Sequence, residues 1–332
     1  MHRDRSEWLQ RTTEVPLDSA RSIIDPHHHL WDRPDWRYTA DELGADTSAG
    51  HKIVKTVFVE CMAGYRTDGP AHLRPVGETE FVVAEAARSR SGGGPEIAAI
   101  VGTADLSLGE RVEEVLVAHD DAGQGLFRGI RHATGWHASP DIGNSHSKPT
   151  AGLMADPEFR RGFARLGSLG YRFDAWLYHP QLPELVELAR ALPEVPIVLD
   201  HIGGPMGIGP YAGRREDVLA EWRPAMAAVA DCPNVALKVG GIGMNRYYGG
   251  GWPDLPAPPS SQTLFDYWGD ELRYCIDTFG PERCMFESNF PVDQESCNYV
   301  VLWNVFKRVA EQYTASEADR LFHDTAAEFY GI

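Results

Sequence analysis

Three consecutive histidines follow a short apolar run near the amino terminus. The segment runs from Ile23 to His29, and alternate side chains of an extended segment lie on the same face. His27 and His29 are therefore predicted to point one way and His28 the other. Two convergent neutral imidazoles form half of a site for a divalent metal such as zinc. A surface histidine run or a structural core histidine is the alternative.

The elements that position these histidines follow from the rest of the chain. Eight apolar, β-rich runs alternate with amphipathic segments from residue 22 onward, and no linker divides them. The predicted strands are 22–27, 54–60, 97–103, 126–131, 171–177, 195–200, 235–239 and 283–287. The predicted helices include 78–90, 108–120, 157–169, 182–192, 216–230 and 265–279.

Apolar strands that alternate with helices indicate an α/β fold with a parallel sheet covered by helices. Eight such units with right-handed crossovers close most simply into a (β/α)8 barrel, and an open doubly wound sheet is the alternative. We expect a polar leader over residues 1–21, loosely ordered, and a single barrel domain over 22–332. Active sites of such barrels lie at the carboxyl ends of the strands. The polar residues at those positions are His27, His29, Glu60, Arg128, Arg131, His179, Asp200, His201, Lys238, Asn289 and Asp293.

Several motifs in this order resemble the amidohydrolase superfamily. At finer grain they resemble its amidohydrolase-related branch, which includes pyrone-dicarboxylate lactonases, sugar-lactone hydrolases and sulfomuconolactone hydrolases. The motifs are the HxH of His27 and His29, GIRH at 129–132, DHIGGP at 200–205 and SNFPVD at 288–293. The resemblance extends over residues 22–332 and implies an amidohydrolase-type barrel.

The resemblance implies roles for the matching residues. His27, His29, His179 and His201 match histidines that hold a divalent ion in metal-bearing members and polarise the lactone carbonyl directly in metal-independent ones. We expect one divalent ion. Zinc is the first candidate and manganese the second, and a metal-free site is the remaining alternative. Arg128 and Arg131 match positions that meet substrate carboxylates, and a guanidinium pairs well with a carboxylate. His179 is a candidate for substrate binding as well.

The chain departs from the family pattern where the strand-eight aspartate activates water. That position is Asn289, and a neutral amide cannot accept a proton near neutral pH. Glu60 is the first candidate for the base, and it is also a candidate metal ligand. His201 and Asp293 are further catalytic candidates, while Asn289 itself remains in the site.

Two long loops and one lysine complete the candidate substrate site. The loops 63–77 and 242–263 are long enough to be lids or binding loops. Tyr247 and Trp252 in the second loop are predicted to cover a ring-shaped ligand; a solvated insertion or an oligomer contact is the alternative. Lys238 lies within an apolar strand, where it binds substrate or pairs structurally with a carboxylate.

The predicted function is a metal-assisted hydrolase that opens a lactone or related cyclic ester. The alternatives are a metal-dependent decarboxylase or carbon–carbon hydrolase on an aromatic or cyclic acid, and a binding protein without activity. The expected partner is a small cyclic carboxylate or lactone, and a homodimer is plausible for this architecture. The net charge of −17 argues against nucleic acid and anionic membranes. Five scattered cysteines and the lack of a visible signal segment favour a cytoplasmic protein.

Overall fold

A computed structural model describes residues 5–34 and 36–332, and its centre is a sheet of eight parallel strands. Including a separate two-stranded hairpin, the described strands are, in chain order, β1 (Ser22–His28), β2 (Trp31–Arg33), β3 (Trp36–Tyr38), β4 (Lys52–Val59), β5 (Glu96–Gly102), β6 (Phe127–Arg131), β7 (Arg172–Ala175), β8 (Ile197–Leu199), β9 (Val235–Gly240) and β10 (Cys284–Glu287). The sheet order is β1-β4-β5-β6-β7-β8-β9-β10, and β2 and β3 form a separate antiparallel hairpin. The predicted (β/α)8 architecture is confirmed.

The barrel is closed by the segment that follows β10. The amide of Asn289 donates to the carbonyl of His27 at 2.8 Å, and the amide of His29 donates to the carbonyl of Phe290 at 2.8 Å. These two bonds join the last strand to the first at the carboxyl end of the barrel. The histidines of β1 and the residues after β10 are therefore held side by side.

Helices surround the sheet. They are α1 (Ser6–Leu9), α2 (Ala40–Thr47), α3 (Val76–Gly92), α4 (Val112–Gly123), α5 (Pro157–Ser168), α6 (Leu182–Ala191), α7 (Arg215–Ala230), α8 (Asn245–Tyr248), α9 (Ser261–Phe279), α10 (Tyr299–Ala310), α11 (Ala315–Asp319) and α12 (Thr325–Tyr330). Local sequence sets their ends: Asp156 caps α5 by accepting from the amides of Glu158 and Phe159, with Pro157 as the first helical residue. None of the described helices combines the length and apolar character needed to span a bilayer.

The period of two in the strands separates the helix-facing core from the barrel interior. In β9, Leu237 and Val239 pack in the main core, whereas Ala236 joins a smaller interior cluster. Lys238, between the two core positions, therefore faces the barrel axis. Tyr330 of α12 also belongs to the interior cluster, so the carboxyl terminus closes the amino-terminal end of the barrel.

The structure shows additional elements beyond the predicted pattern. The hairpin β2–β3 and helix α2 follow the histidine run, and three further helices follow β10. The predicted leader includes residues 1–4, which lie outside the described residues. From residue 5 onward the leader is attached to the 242–263 loop, since Trp8 donates to the carbonyl of Leu255 at 2.8 Å and Thr12 to that of Pro258 at 2.6 Å.

Helix α4 carries a buried histidine, His119. From its contacts and burial we expect the protein to lose stability in acid. Its Nε2 lies 2.9 Å from the carbonyl of Thr103, its Nδ1 lies 2.7 Å from the hydroxyl of Thr79, and its ring stacks on Phe127. These contacts suit the neutral ring, and burial lowers the pKa of His119 to about 4. Above the unfolded-state pKa of about 6.5 both states are neutral and the group has no effect on stability. Below it the unfolded chain takes up a proton that the folded chain refuses, so stability is lost progressively as the pH falls towards 4.

We therefore expect the wild-type chain to lose about 2 kcal/mol more free energy of unfolding than His119→Gln between about pH 7.5 and pH 5. Urea unfolding of both proteins at the two pH values measures this difference. Glutamine keeps a donor and an acceptor at the position but does not titrate. Equal losses in the two proteins would contradict the assignment.

Candidate active site

The β1 histidines converge as the alternation predicts. The rings of His27 and His29 are 5.0 Å apart, whereas His28 points outward against Phe58 at 6.0 Å. The Nδ1 atom of His29 lies 2.7 Å from the carbonyl of Val59 and therefore carries the proton. Its Nε2 lies 3.2 Å from Asn289 Oδ1; both atoms are acceptors in the neutral ring, so this contact is not a hydrogen bond.

A cluster of potential metal ligands lies between β1, β8 and β10. His27, His201 and Glu287 each offer one ligand atom, and these atoms lie within 4.8 Å of one another. Glu287 Oε1 accepts from the amide and from Nδ1 of His201 at 2.9 and 2.7 Å. Glu287 Oε2 lies 2.8 Å from His27 Nδ1 without hydrogen-bond geometry. Although burial raises the pKa of Glu287, the charges of His201 and His27 lower it to about 2.

The backbone around His201 is strained in a way that fixes its ring. His201 and Ile202 have φ values of 56° and 47°, a left-handed conformation that is unfavourable for residues other than glycine. A side chain at Gly241 would overlap the His201 ring, so only glycine fits beside it. The hydroxyl of Tyr248 donates to the His201 carbonyl at 2.9 Å.

Lys238 lies beneath the cluster, fully buried inside the barrel. Its Nζ lies 2.6 Å from Asp174 Oδ2, 3.2 Å from Asp200 Oδ1 and 3.2 Å from His27 Nδ1. The hydroxyl of Tyr330 donates to the same Asp174 oxygen at 2.9 Å. Burial lowers the pKa of Lys238, but the surrounding carboxylates outweigh it, so the net shift is upward and the ammonium stays charged. These contacts favour the structural interpretation of Lys238 over substrate binding.

Arg131 connects the cluster to Glu60. Its Nε donates to Glu60 Oε1 at 2.8 Å, and its Nη1 lies 3.4 Å from His27 Nε2 and 3.5 Å from Asp200 Oδ2. A further residue, His146, approaches Glu60 from the loop after β6, with Nε2 at 2.9 and 3.0 Å from the two carboxylate oxygens. Burial raises the pKa of Glu60, but His146 and Arg131 outweigh it and lower it to about 2.

The buried centre has a charge imbalance. Its carboxylates, Glu60, Asp174, Asp200 and Glu287, are four, whereas its cations, Arg131 and Lys238, are two. Burial raises the pKa of Asp174 only to about 6, so all four are ionised near neutral pH. Burial and Lys238 lower the pKa of His27, which therefore does not compensate. Histidines not counted, the excess is two negative charges, which matches one divalent cation.

Asn289 and Asp293 form a pair on the other side of His29. Asn289 Nδ2 donates to Asp293 Oδ1 at 2.7 Å, and the amide of Gly243 donates to Asp293 Oδ2 at 2.7 Å. Asp293 is buried behind the amide, and burial raises its pKa well above the usual range. Both of its oxygens are occupied, so the geometry favours an orienting role for Asp293 over direct proton transfer.

Two predicted site residues make their contacts away from this centre. His179, on a short 3-10 turn after β7, contacts Tyr211 and accepts from the amide of Met206 at 3.2 Å. Arg128 donates to the carbonyl of Tyr330 at 2.9 Å, near the closed end of the barrel. Arg128 is the second residue of β6 and so lies near the amino-terminal end of that strand, beside a register shift in which Ile100 pairs with Phe127 but Val101 with Gly129.

The 242–263 loop contributes one of its two predicted aromatics. Trp252 packs against Tyr267 of α9 and so lies away from the histidines. Tyr247 lies 5.7 Å from Trp176, whose ring is 4.9 Å from that of His201. Tyr247 is therefore at the mouth of the site, as a cover for a ring-shaped ligand requires.

The sequence-based prediction left out Asp174 and His146, and it gave Glu287 only as a residue that could share the face of Asn289. Asp174 and Glu287 occupy inward positions of β7 and β10, and the period of two in those strands could have indicated them. His146 lies in the stretch between β6 and α5, where no periodic pattern points to it. Nothing in the sequence alone signals that this histidine reaches Glu60.

Comparisons with known proteins agree with this architecture. A family model described as amidohydrolase matches residues 24–332. An uncharacterized protein from Sinorhizobium fredii is 33% identical over 94% of this chain and 99% of its own length. An L-fucono-1,5-lactonase from Burkholderia multivorans is 28% identical over 93% of this chain and 96% of its own. A crystal structure of a Burkholderia multivorans amidohydrolase with bound zinc is 25% identical, covers 93% of this chain and 99% of that one, and has a TM-score of 0.73.

Proposed function

This chain belongs to the amidohydrolase family, and from that premise we propose that it is a hydrolase that opens a lactone and uses one divalent metal ion, zinc first. The observation that carries the proposal is the buried cluster of His27, His201 and Glu287 at the carboxyl end of the barrel. The similarity to an L-fucono-1,5-lactonase supports a lactone as the substrate.

The residues of the cluster fit a divalent ion. Imidazole nitrogens and a carboxylate oxygen are ligands that zinc prefers. The buried oxygen Glu287 Oε2 has no hydrogen-bond partner in the described part of the chain, and a cation would satisfy such an orphan. Asp200 Oδ1 also has no hydrogen bond, but it already lies 3.2 Å from the Lys238 ammonium. We assign the ion to His27, His201 and Glu287. Glu60 is left out because Arg131 and His146 already hold its two oxygens.

When bound, the ion supplies Lewis-acid polarisation of the ester carbonyl. The protein's own groups do the rest. Arg131 sits between the cluster and Glu60, where a guanidinium can donate to a substrate oxygen. Tyr247 and Trp176 lie over His201 and provide an aromatic wall for a ring.

The test combines metal content with turnover. Protein purified without a histidine tag is expected to contain one zinc or manganese ion per chain by elemental mass spectrometry, and to open at least one member of a panel of sugar lactones and pyrones. If metal-free protein opens a lactone, the metal part of the proposal is wrong and the hydrolase part stands. If the protein releases carbon dioxide from an aromatic acid and opens no lactone, the proposed activity is wrong and the protein is a decarboxylase.

A further inference from the structure

The 132–152 loop places His146 over the buried carboxylate of Glu60. Both Glu60 oxygens lie within hydrogen-bond distance of His146 Nε2, at 2.9 and 3.0 Å, and Glu60 is fully buried. An ionised carboxylate only accepts hydrogen bonds, so the imidazole must donate from Nε2. In the neutral ring the other nitrogen, Nδ1, then carries a lone pair, and it has no hydrogen-bond partner within residues 5–34 and 36–332.

We infer that His146 is the general base of the hydrolysis and that Glu60 is its positioning residue. A carboxylate that holds one imidazole nitrogen fixes the tautomer and leaves the other nitrogen basic, as in hydrolases with a histidine–aspartate pair. The His146 side chain is 29% exposed. It therefore lies at the boundary between the closed centre and solvent, where an attacking water can reach Nδ1. This inference rests on the proposed function.

The loop holds His146 in place through its neighbours. The hydroxyls of Ser145 and Ser147 both donate to the carbonyl of Ala133, and the amide of Ser145 donates to that of Gly135 at 2.8 Å. These bonds fold the loop back on itself at its base. A catalytic group must be held in its reactive geometry by such supporting contacts.

The other candidate bases are occupied. Glu60 is ion-paired to Arg131, and a carboxylate with a pKa of about 2 is a weak base. Asp293 accepts hydrogen bonds on both oxygens behind Asn289. His201 has a similar contact with Glu287, but it belongs to the proposed metal cluster. His146 thus supplies the function that Asn289 cannot.

The proton balance of the step is simple. The water oxygen bonds to the acyl carbon while one water proton passes to His146 Nδ1. The bond between the acyl carbon and the ring oxygen then breaks, and the leaving ring oxygen takes the proton back from His146. The product is the open hydroxy acid, and no oxidant or other co-reactant is needed.

The test compares two histidines of the same loop. We expect His146→Gln to lower kcat on a lactone that the wild type opens by about 100-fold or more. The matched control, His137→Gln, changes a loop histidine that contacts Tyr211 and not Glu60, and it should stay within a few-fold of wild type. Added imidazole should restore part of the activity of His146→Ala and none of that of a similarly impaired folding variant. A His146→Gln enzyme as active as wild type would overturn the inference.

A second readout needs no turnover. Nitrogen NMR of labelled histidines should show His146 protonated at Nε2, and Glu60→Gln should change that signal. A neutral His146 protonated at Nδ1 would overturn the pairing. If the wild type opens no lactone, the proposed function fails, and the tautomer alone then decides whether Glu60 holds His146 as stated.

Discussion

Replacement of Lys238 by methionine is expected to lower the free energy of unfolding by about 3–5 kcal/mol. The side chain is completely buried and its ammonium lies between Asp174 and Asp200. Methionine fills a similar volume but removes the positive charge. The two carboxylates would then share the barrel interior without the cation nearest to them, and a buried charge without a partner is costly.

A lysine on α10 provides the matched control. Lys307 is also buried, but its Nζ makes no hydrogen bond, and its nearest carboxylate, Asp18, is 3.8 Å away and partly exposed. Burial lowers the pKa of Lys307 to about 8. Lys307→Met should therefore change the free energy of unfolding by less than about 1 kcal/mol.

The double variant identifies the cause of the loss. In Lys238→Met the carboxylates have pKa values raised above those of the unfolded chain, so its stability should increase as the pH falls. Adding Asp174→Asn removes one of the unpaired charges and should recover part of the loss. Urea unfolding at pH 7 and pH 5 measures both effects. A single variant that unfolds like Lys307→Met would contradict the structural role of Lys238.

Lys238 also illustrates what the sequence could predict. Its position in an apolar strand of period two places it on the barrel axis, and the sequence analysis left open whether it pairs or binds substrate. The partner is on β7, which is two strands away in the sheet order. Only the three-dimensional register brings Asp174 within 2.6 Å. Periodicity predicts to which side of the sheet a side chain points, but it does not predict which residue on another strand that side chain contacts.

The fold was predictable because its signal is repeated eight times. Each predicted strand overlaps an observed strand of the barrel, with ends that differ by one or two residues. The site was predictable where a residue ends a strand, as for His27, His201 and Asn289. It was not predictable where a loop folds back, as for His146, whereas Arg128 is the second residue of its strand, and this position already places it near the other end of the barrel. Loop paths depend on contacts between distant residues, which a pattern along one chain does not contain.

Glu287→Gln is expected to abolish stable metal binding, with a fall in affinity of about 100-fold or more, and to reduce lactone turnover by about 1000-fold. The carboxylate contributes the only negative charge of the three-residue cluster, and it also holds the His201 ring through a 2.7 Å bond to Nδ1. Glutamine keeps the shape but loses the charge. Its amide nitrogen could also turn a donor towards the cluster.

The control is another buried glutamate that does not touch the cluster. Glu78 accepts from the amides of Cys61 and Ala63 at 2.9 and 2.7 Å, and burial raises its pKa to about 8. It is therefore already neutral near pH 7, so Glu78→Gln should leave the metal content unchanged. Elemental analysis after dialysis against a weak chelator separates the two variants.

The same measurement distinguishes a metal centre from a purely structural ion-pair network. If Glu287 serves only to hold the His201 ring, the wild type holds no ion, and Glu287→Gln changes stability alone. If it is a ligand, metal is lost while the fold survives, because the neighbouring carboxylates still balance Arg131 and Lys238. The fold lowers the pKa of Glu287 to about 2, so the ionised carboxylate stabilises the apo protein and its removal costs some of that stability. We therefore expect Glu287→Gln to be folded and metal-free, with an apo form less stable than that of the wild type.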